Sequence, residues 1–300
     1  MKKSKLIAIF VFGSTIYACT EDVKRDAKEE AVNEKLTTEA EAPIKEHLDR
    51  AYYPIPSPEQ MFGFISDNGV AYSNQLMNTT DKVESYTDPS AQALNFGVYT
   101  ADLAYAAAYQ DIEATIKLYK VVKRLGSEMN ISEIMTQETM SKMQENMQDP
   151  DSLAVIAGDS YYQAVEFLEQ NGQEGKLALM SLGGWIESLY ITLNAIGDFE
   201  ENPKTVQRIA DQKITFGNLY TYLKKHEDKV GVEGIINQIH DVRDVFASLR
   251  EERSGKATNT KENGKMVFGG GTKIAISKSQ FENLKTAINE FRSKITAIEA

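Results

Sequence analysis

One cysteine, one tryptophan, three histidines and seven prolines in 300 residues exclude several classes of protein before any motif is read. A lone thiol closes no intramolecular disulfide, so the chain must be held by packing alone. His47, His226 and His240 show no ligand spacing and have no second cysteine to join them, which leaves no zinc site of the usual kind. Positive charge is also scarce. The 33 Lys and Arg face 44 Asp and Glu, a formal charge of −11, which argues against nucleic acid as a partner and against peripheral docking on anionic lipid. No long apolar run is present either. The most continuous one, Leu6 to Phe12, is far short of the roughly 20 residues that a permanent membrane span needs.

That short run has a different use. Lys2, Lys3 and Lys5 precede it as a positive region, and Gly13 to Ala18 follow it as a stretch of mostly small residues, the order of an export signal. The string Ile16-Tyr17-Ala18-Cys19 resembles the lipobox of bacterial lipoprotein precursors, and Cys19, the sole cysteine, falls where the cut should come. This predicts a signal peptide over residues 1–18 and acylation of Cys19, which would make the lipid bilayer the first partner. Each buried methylene contributes about 0.8 kcal/mol, so several acyl chains hold firmly. Plain secretion with an incidental cysteine is the competing expectation. Cleavage would remove three lysines and no acid, taking the charge from −11 to −14.

Residues 19–51 read as a charged linker. Thr20 to Arg50 is rich in acids and poor in large apolar side chains, so it cannot bury enough surface to offset its ordering entropy. As a coil of about 30 residues it would reach roughly 30 Å from the bilayer. Glu21 and Asp22, directly after the anchor, resemble the acidic tag that takes some lipoproteins to the outer face of the outer membrane; a merely charged linker explains them as well. The expected location is the outer membrane, facing the periplasm or the cell surface. Folded structure should begin at Tyr52, where Pro54, Pro56 and Pro58 enforce an extended path and Ser57 is placed to cap a helix opening at Pro58.

From there to residue 300 the hydrophobic period is helical almost throughout, which predicts a single all-α domain: a multi-helix bundle of antiparallel helices. Helices are expected near 89–108, 110–125, 131–147, 151–171, 176–197 and 203–226, followed by one through Ile235, Ile239, Val242, Phe246 and Leu249. A final helix carries Phe281, Leu284, Ile288, Phe291, Ile295 and Ile298. Lys265 to Ser277 alternates instead around Gly269-Gly270-Gly271, which predicts one small β-hairpin near the C-terminus. The segments Ala91 to Tyr109 and Leu177 to Ile196 are apolar nearly all round and should be central. Gly97 with Tyr99, Gly184 with Trp185, Gly158 with Tyr161 and Gly217 with Tyr220 pair a helical glycine with an aromatic. Since glycine costs about 1 kcal/mol against alanine in a helix, close crossings of helix axes are the expected reason.

The strings YPIPSPEQM, ALNFGVYTADLAYA, GGWIESLYI and SKSQFENLKTAINEFRSKI resemble a family of all-helical bacterial lipoproteins to which no activity is assigned. The resemblance covers Tyr53 to the end. It implies a helical domain on a lipid anchor and brings no catalytic residue with it.

Candidate chemistry is thin. Gly158-Asp159-Ser160 matches the triplet of one esterase family, but it lies in a helical pattern with no Asp-x-x-His after it. Met140, Met143 and Met147 place three thioethers on one helical face, and Met129 and Met135 are near them. Such a face could hold Cu(I), although a pliable packing face is the commoner use. His240, beside Asp241, reads as half-buried. The acids on the central helices are the most informative candidates. Asp102 and Glu187 sit among apolar residues, with Tyr99, Tyr105, Trp185 and Tyr190 close in sequence. A carboxylate buried there must be paired, or its pKa rises. Asp102, Tyr105, Trp185 and Glu187 therefore either line a ligand pocket, for something cationic, or form a polar network between crossing helices. No cofactor motif is present. The sequence thus points to a non-enzymatic helical binding or interaction module with a protein partner at the membrane, with a small-molecule binding or sensing domain as the alternative. An enzyme without a legible motif is the third expectation.

Overall fold

The computed structural model describes residues 58–131, 137–146, 149–254, 259–262, 265–268 and 271–297. The signal segment, Cys19, the linker, the proline-rich entry through Ser57, His47, Met135 and Met147 lie outside the described residues. Everything below concerns the compact unit within Tyr53–Ala300.

Helices dominate, and local sequence explains most of their ends. After α1 (Pro58–Asp67) the chain runs as an irregular strap with two short 3-10 turns, Asn74–Leu76 and Thr80–Ser85. Asp88 then caps α2 (Pro89–Ala108), its carboxylate accepting from the Ser90 and Ala91 amides, with Pro89 at the first position. Asp111 caps α3 (Ile112–Glu128) in the same way through the Ala114 amide. This helix runs through Gly126, where it was expected to end, because the left-handed residue that closes it is Asn130 at φ 61°. The Ile131 and Asn130 amides bond back to Gly126 and Ser127.

Next come α4 (Gln137–Glu145), α5 (Pro150–Gln170), α6 (Glu174–Ala195) and α7 (Pro203–Lys225). Gly172, at φ 67°, turns the chain out of α5 as its position in the sequence predicts. The helix expected through Ile235 to Leu249 is two short ones, α8 (Val232–Gln238) and α9 (His240–Ser248), interrupted at Ile239. The last helix, α10 (Lys278–Ile295), opens with a full capping box between Ser277 and Gln280.

Between α9 and α10 lie four strands: β1 (Arg250–Ser254), β2 (Asn259–Glu262), β3 (Lys265–Phe268) and β4 (Gly271–Ala275). β1 pairs antiparallel with β4, Arg250 opposite Ala275 and Ser254 opposite Gly271. β2 pairs with β3, Glu262 opposite Lys265. The hairpin therefore reverses between Glu262 and Lys265, not at the glycine triplet. The runs flanking the triplet pair with earlier strands instead of with each other.

The fold is an all-α bundle carrying this small β-ribbon. Its core is built on α2 and α6, which make the most extensive contact of any two elements. Both are buried on nearly all sides, as their apolar composition predicts. α1 and α3 pack on α2, while α7 and α10 pack on α6. The contact between α2 and α6 is backbone to backbone. A Cβ on Gly97 would lie 2.0 Å from the Met180 carbonyl oxygen and 2.6 Å from the Gly184 nitrogen, and one on Gly183 would lie 2.0 Å from the Leu94 carbonyl oxygen. The close-crossing expectation holds at Gly97, while Gly183 is not among the glycines it names, and it fails at Gly217, which has nothing within 4 Å of its Cβ position. Gly217 sits on the exposed side of α7.

Candidate functional site

Little more than one turn beyond that crossing, α2 presents Asp102 and α6 presents Glu187, and both side chains are 0 % exposed. Two carboxyls this deep need partners. Glu187 has one in Arg292 of α10: Nε donates to Oε2 at 2.9 Å and Nη2 to Oε1 at 2.8 Å, a bidentate pair. Arg292 is itself held over the Tyr190 ring, 4.4 Å from its centroid. Burial works against the guanidinium charge, but the hydrogen bonds and charge of Glu187 outweigh it and raise the pKa of Arg292 above its usual value.

Asp102 is treated differently. Its Oδ2 accepts from the Asn78 amide at 3.0 Å, and its Oδ1 receives no donor from any described residue. Burial, and then the negative charge of Glu187, push its pKa well above the normal carboxyl range. The Asp102 carboxyl also lies within hydrogen-bonding reach of Glu187. A proton on Asp102, donated to Glu187, reconciles these facts: it satisfies Oδ1, removes the repulsion, and leaves one anion facing one arginine. The cluster is then neutral as a whole, the arrangement a buried site tolerates best.

Tyrosines extend the network. Tyr99 donates its hydroxyl to the Thr79 carbonyl at 2.6 Å, and the Asn78 side-chain amide donates to Tyr86 Oη at 3.3 Å. Tyr86 in turn donates to the Thr296 carbonyl at 3.3 Å, which Lys82 also reaches at 3.2 Å. Burial raises the pKa of both Tyr86 and Tyr99, so they remain neutral hydroxyls.

Of the four expected site residues, the structure therefore brings Asp102 and Glu187 together and leaves the other two elsewhere. Tyr105 accepts from the Ser73 amide at 2.9 Å and sits in a cluster of rings with Phe62, Tyr72 and Tyr109. Trp185 lies two residues from Glu187 and so on another side of α6. It stacks on Phe216 at 5.1 Å and donates to Gln212 at 3.1 Å. Arg292, Asn78 and Tyr86 are the participants that the sequence reading missed. Arg292 carried a signal: it follows Phe291 and precedes Ile295 by three, so it interrupts the apolar stripe of α10.

Both acids are wholly buried, and their partners are side chains and backbone of the surrounding elements. A groove of about 400 Å³ does lie close by, between the strap and α3, with Asn74, Asn78, Thr79 and Lys117 among its walls. Neither acid lines it; Asn78, only 5 % exposed, stands between the groove and Asp102.

The remaining candidates resolve more simply. Met143 is 7 % exposed within the core and Met140 packs against that core, so the described part of the methionine face is packing surface. Ser160 lies inside α5 and spends its hydroxyl on the Ile156 carbonyl at 2.8 Å, four residues back. His240 is exposed, not half-buried as expected, with Nδ1 3.0 Å from the Asn237 carbonyl and Nε2 3.2 Å from Asp241. It opens a short helix on the outer side of the stripe that buries Val242 and Phe246. His226 is the buried histidine, against Tyr222, and desolvation lowers its pKa. Among the described residues no group of three or more His, Cys, Asp or Glu is placed to hold a metal ion, and no helix is long and apolar enough to cross a membrane. No family model matches the chain, and no curated protein and no solved structure is similar to it.

Proposed function

We propose that the chain is an exported lipoprotein, anchored at the outer membrane through acylated Cys19, whose helical domain is a non-enzymatic binding or interaction module. One observation carries this reading: the only cysteine follows an export signal and ends the string Ile16-Tyr17-Ala18-Cys19. Two others support it. The described core is large and contains no disulfide, which suits a chain whose one thiol is given to lipid. The buried carboxyls are committed to Arg292, Asn78 and each other, which leaves the surface of the domain as the place for a partner. The small-molecule alternative, a pocket formed by Asp102 and Glu187, has less support, since both side chains are 0 % exposed and neither lines the groove between the strap and α3.

Mass spectrometry of the N-terminal peptide, with cell fractionation of the wild type and of Cys19→Ser, tests the anchor. The expected result is a diacyl-modified cysteine at position 19 and a membrane pool that Cys19→Ser abolishes. An unmodified thiol, or a soluble wild-type protein, would overturn the lipid anchor. Cross-linking of the anchored protein in intact cells tests the interaction reading, which fails if no partner is retrieved.

A further inference from the structure

One face of α2 has a task beyond the core. Tyr99, Asp102, Tyr105 and Tyr109 recur at helical spacing, and each bonds to the backbone of the irregular strap, residues 70–86. Tyr109 donates to the Val70 carbonyl at 2.7 Å, and the Ser73 amide donates to Tyr105 at 2.9 Å. The Asn78 amide donates to Asp102 at 3.0 Å, and Tyr99 donates to the Thr79 carbonyl at 2.6 Å. A segment with no long helix or strand of its own needs such partners to lie against a core. Three of them are neutral hydroxyls. The fourth is a carboxyl.

We infer that residues 70–86 form a strap whose closure over α2 depends on the proton held between Asp102 and Glu187. The geometry sets the direction. With the proton in place, the buried group comprises one anion and one cation, Glu187 and Arg292. Without it, two adjacent carboxylates face a single guanidinium whose Nε and Nη2 already donate to one of them. The added charge needs water. The helices on either side meet at backbone contact and cannot part cheaply, whereas Asn78, which bonds to Asp102, also lines an open groove. Water reaches Asp102 by displacing Asn78, and the strap goes with it. Ionisation does strengthen the Asn78 amide bond, which favours the charged form. That bond and the Arg292 charge oppose burial and the Glu187 charge, and the latter two prevail.

No other group facing Asp102 supplies the missing charge. Tyr72 of the strap and Tyr99 of α2 lie close enough to feel its charge, and burial raises the pKa of both, so they stay neutral; Lys82, the strap's lysine, gives its ammonium to the Thr296 carbonyl. On α3, Asp111, Glu113 and Lys117 line the groove on the far side of Asn78. Asp111 is occupied by the Tyr72 hydroxyl and the Ala114 amide. Opening the strap would extend the groove inward to Asp102, so the device controls access to the one buried charge cluster on α2 and α6.

Hydrogen exchange, followed amide by amide across pH in the wild type and in Asp102→Asn, tests the inference. The asparagine keeps an acceptor for Asn78 and a donor for Glu187 but has no proton to lose. In the wild type, protection of the Ser73 and Asn78 amides should fall with rising pH by up to about tenfold per unit once opening is linked to one proton, while α6 amides keep theirs. In Asp102→Asn the strap protection should be independent of pH. Flat strap protection in the wild type, or the same fall in Asp102→Asn, would overturn it. Should the variant not fold, the Asp102 carboxyl 13C shift in the wild type decides: a protonated shift at neutral pH is expected, and an ionised one refutes the proposal.

Discussion

Two places on the same pair of helices, little more than a turn apart, solve opposite problems. At Gly97 and Gly183, α2 and α6 meet with no side chain between them, and the contact is dry, backbone against backbone. At Asp102 and Glu187 the same helices enclose charge, and α10 must supply Arg292 to make that tolerable. The first contact needs only the absence of atoms. The second needs three elements and a proton to agree. Close approach of two helices is thus what gives the acids their difficulty: it excludes the water that would otherwise solvate them.

The largest effect should come from breaking the charged contact on one side only. Arg292→Met leaves Glu187 buried without its cation and should cost about 3–5 kcal/mol in chemical denaturation; a loss below about 1 kcal/mol would mean that water already reaches the pair. Gly97→Ala attacks the dry contact. The new methyl would press on the backbone of α6, not on a side chain able to turn aside, so destabilisation of about 1–3 kcal/mol is expected. Gly217→Ala, on an open helix face, should instead gain up to about 1 kcal/mol. Opposite signs for these two alanines would sharpen the comparison, and equal losses would break it.

A pH prediction follows from Asp102 alone. Its pKa is raised in the folded state, so the unfolded chain loses that proton first. The stabilisation linked to it is complete below the ordinary carboxyl value of 3.8 and declines as pH rises from there toward the folded value. Thermal melts should therefore show the stability of Asp102→Asn gaining on the wild type from mildly acidic pH upward. The smallest effect belongs to Tyr99→Phe, which removes one strap bond and should cost about 1 kcal/mol with a local loss of exchange protection near Thr79.

How far each region could be read from the sequence follows the same division. Helix positions were legible because their signals are local: Asp88-Pro89 and Ser277 with Gln280 announce starts, and the stripe from Phe281 to Ile295 fixes the buried face of α10. The burial of Asp102 and Glu187 was legible from their apolar neighbours, and their meeting was one of two expectations. Arg292 escaped because a count of apolar positions passes over the charged residue among them. The strap escaped because it has no period; its order comes from hydroxyls and a carboxyl on α2. Gly97 and Gly217 look alike in sequence, each followed by a tyrosine, and differ only in whether another helix crosses there. The strand pairing differs from the expected one because a glycine triplet supplies flexibility, and flexibility alone does not set a register.

Glu187 and Arg292 are held in the core by a mutual dependence: either one alone would be a stranded charge. A double-mutant cycle on the folded domain, with Glu187→Met, Arg292→Met and both together, measures it directly. Each single change should cost several-fold more than half the loss in the double variant, with a coupling of at least about 2 kcal/mol, because the apolar pair strands no charge. Losses that simply add would contradict it.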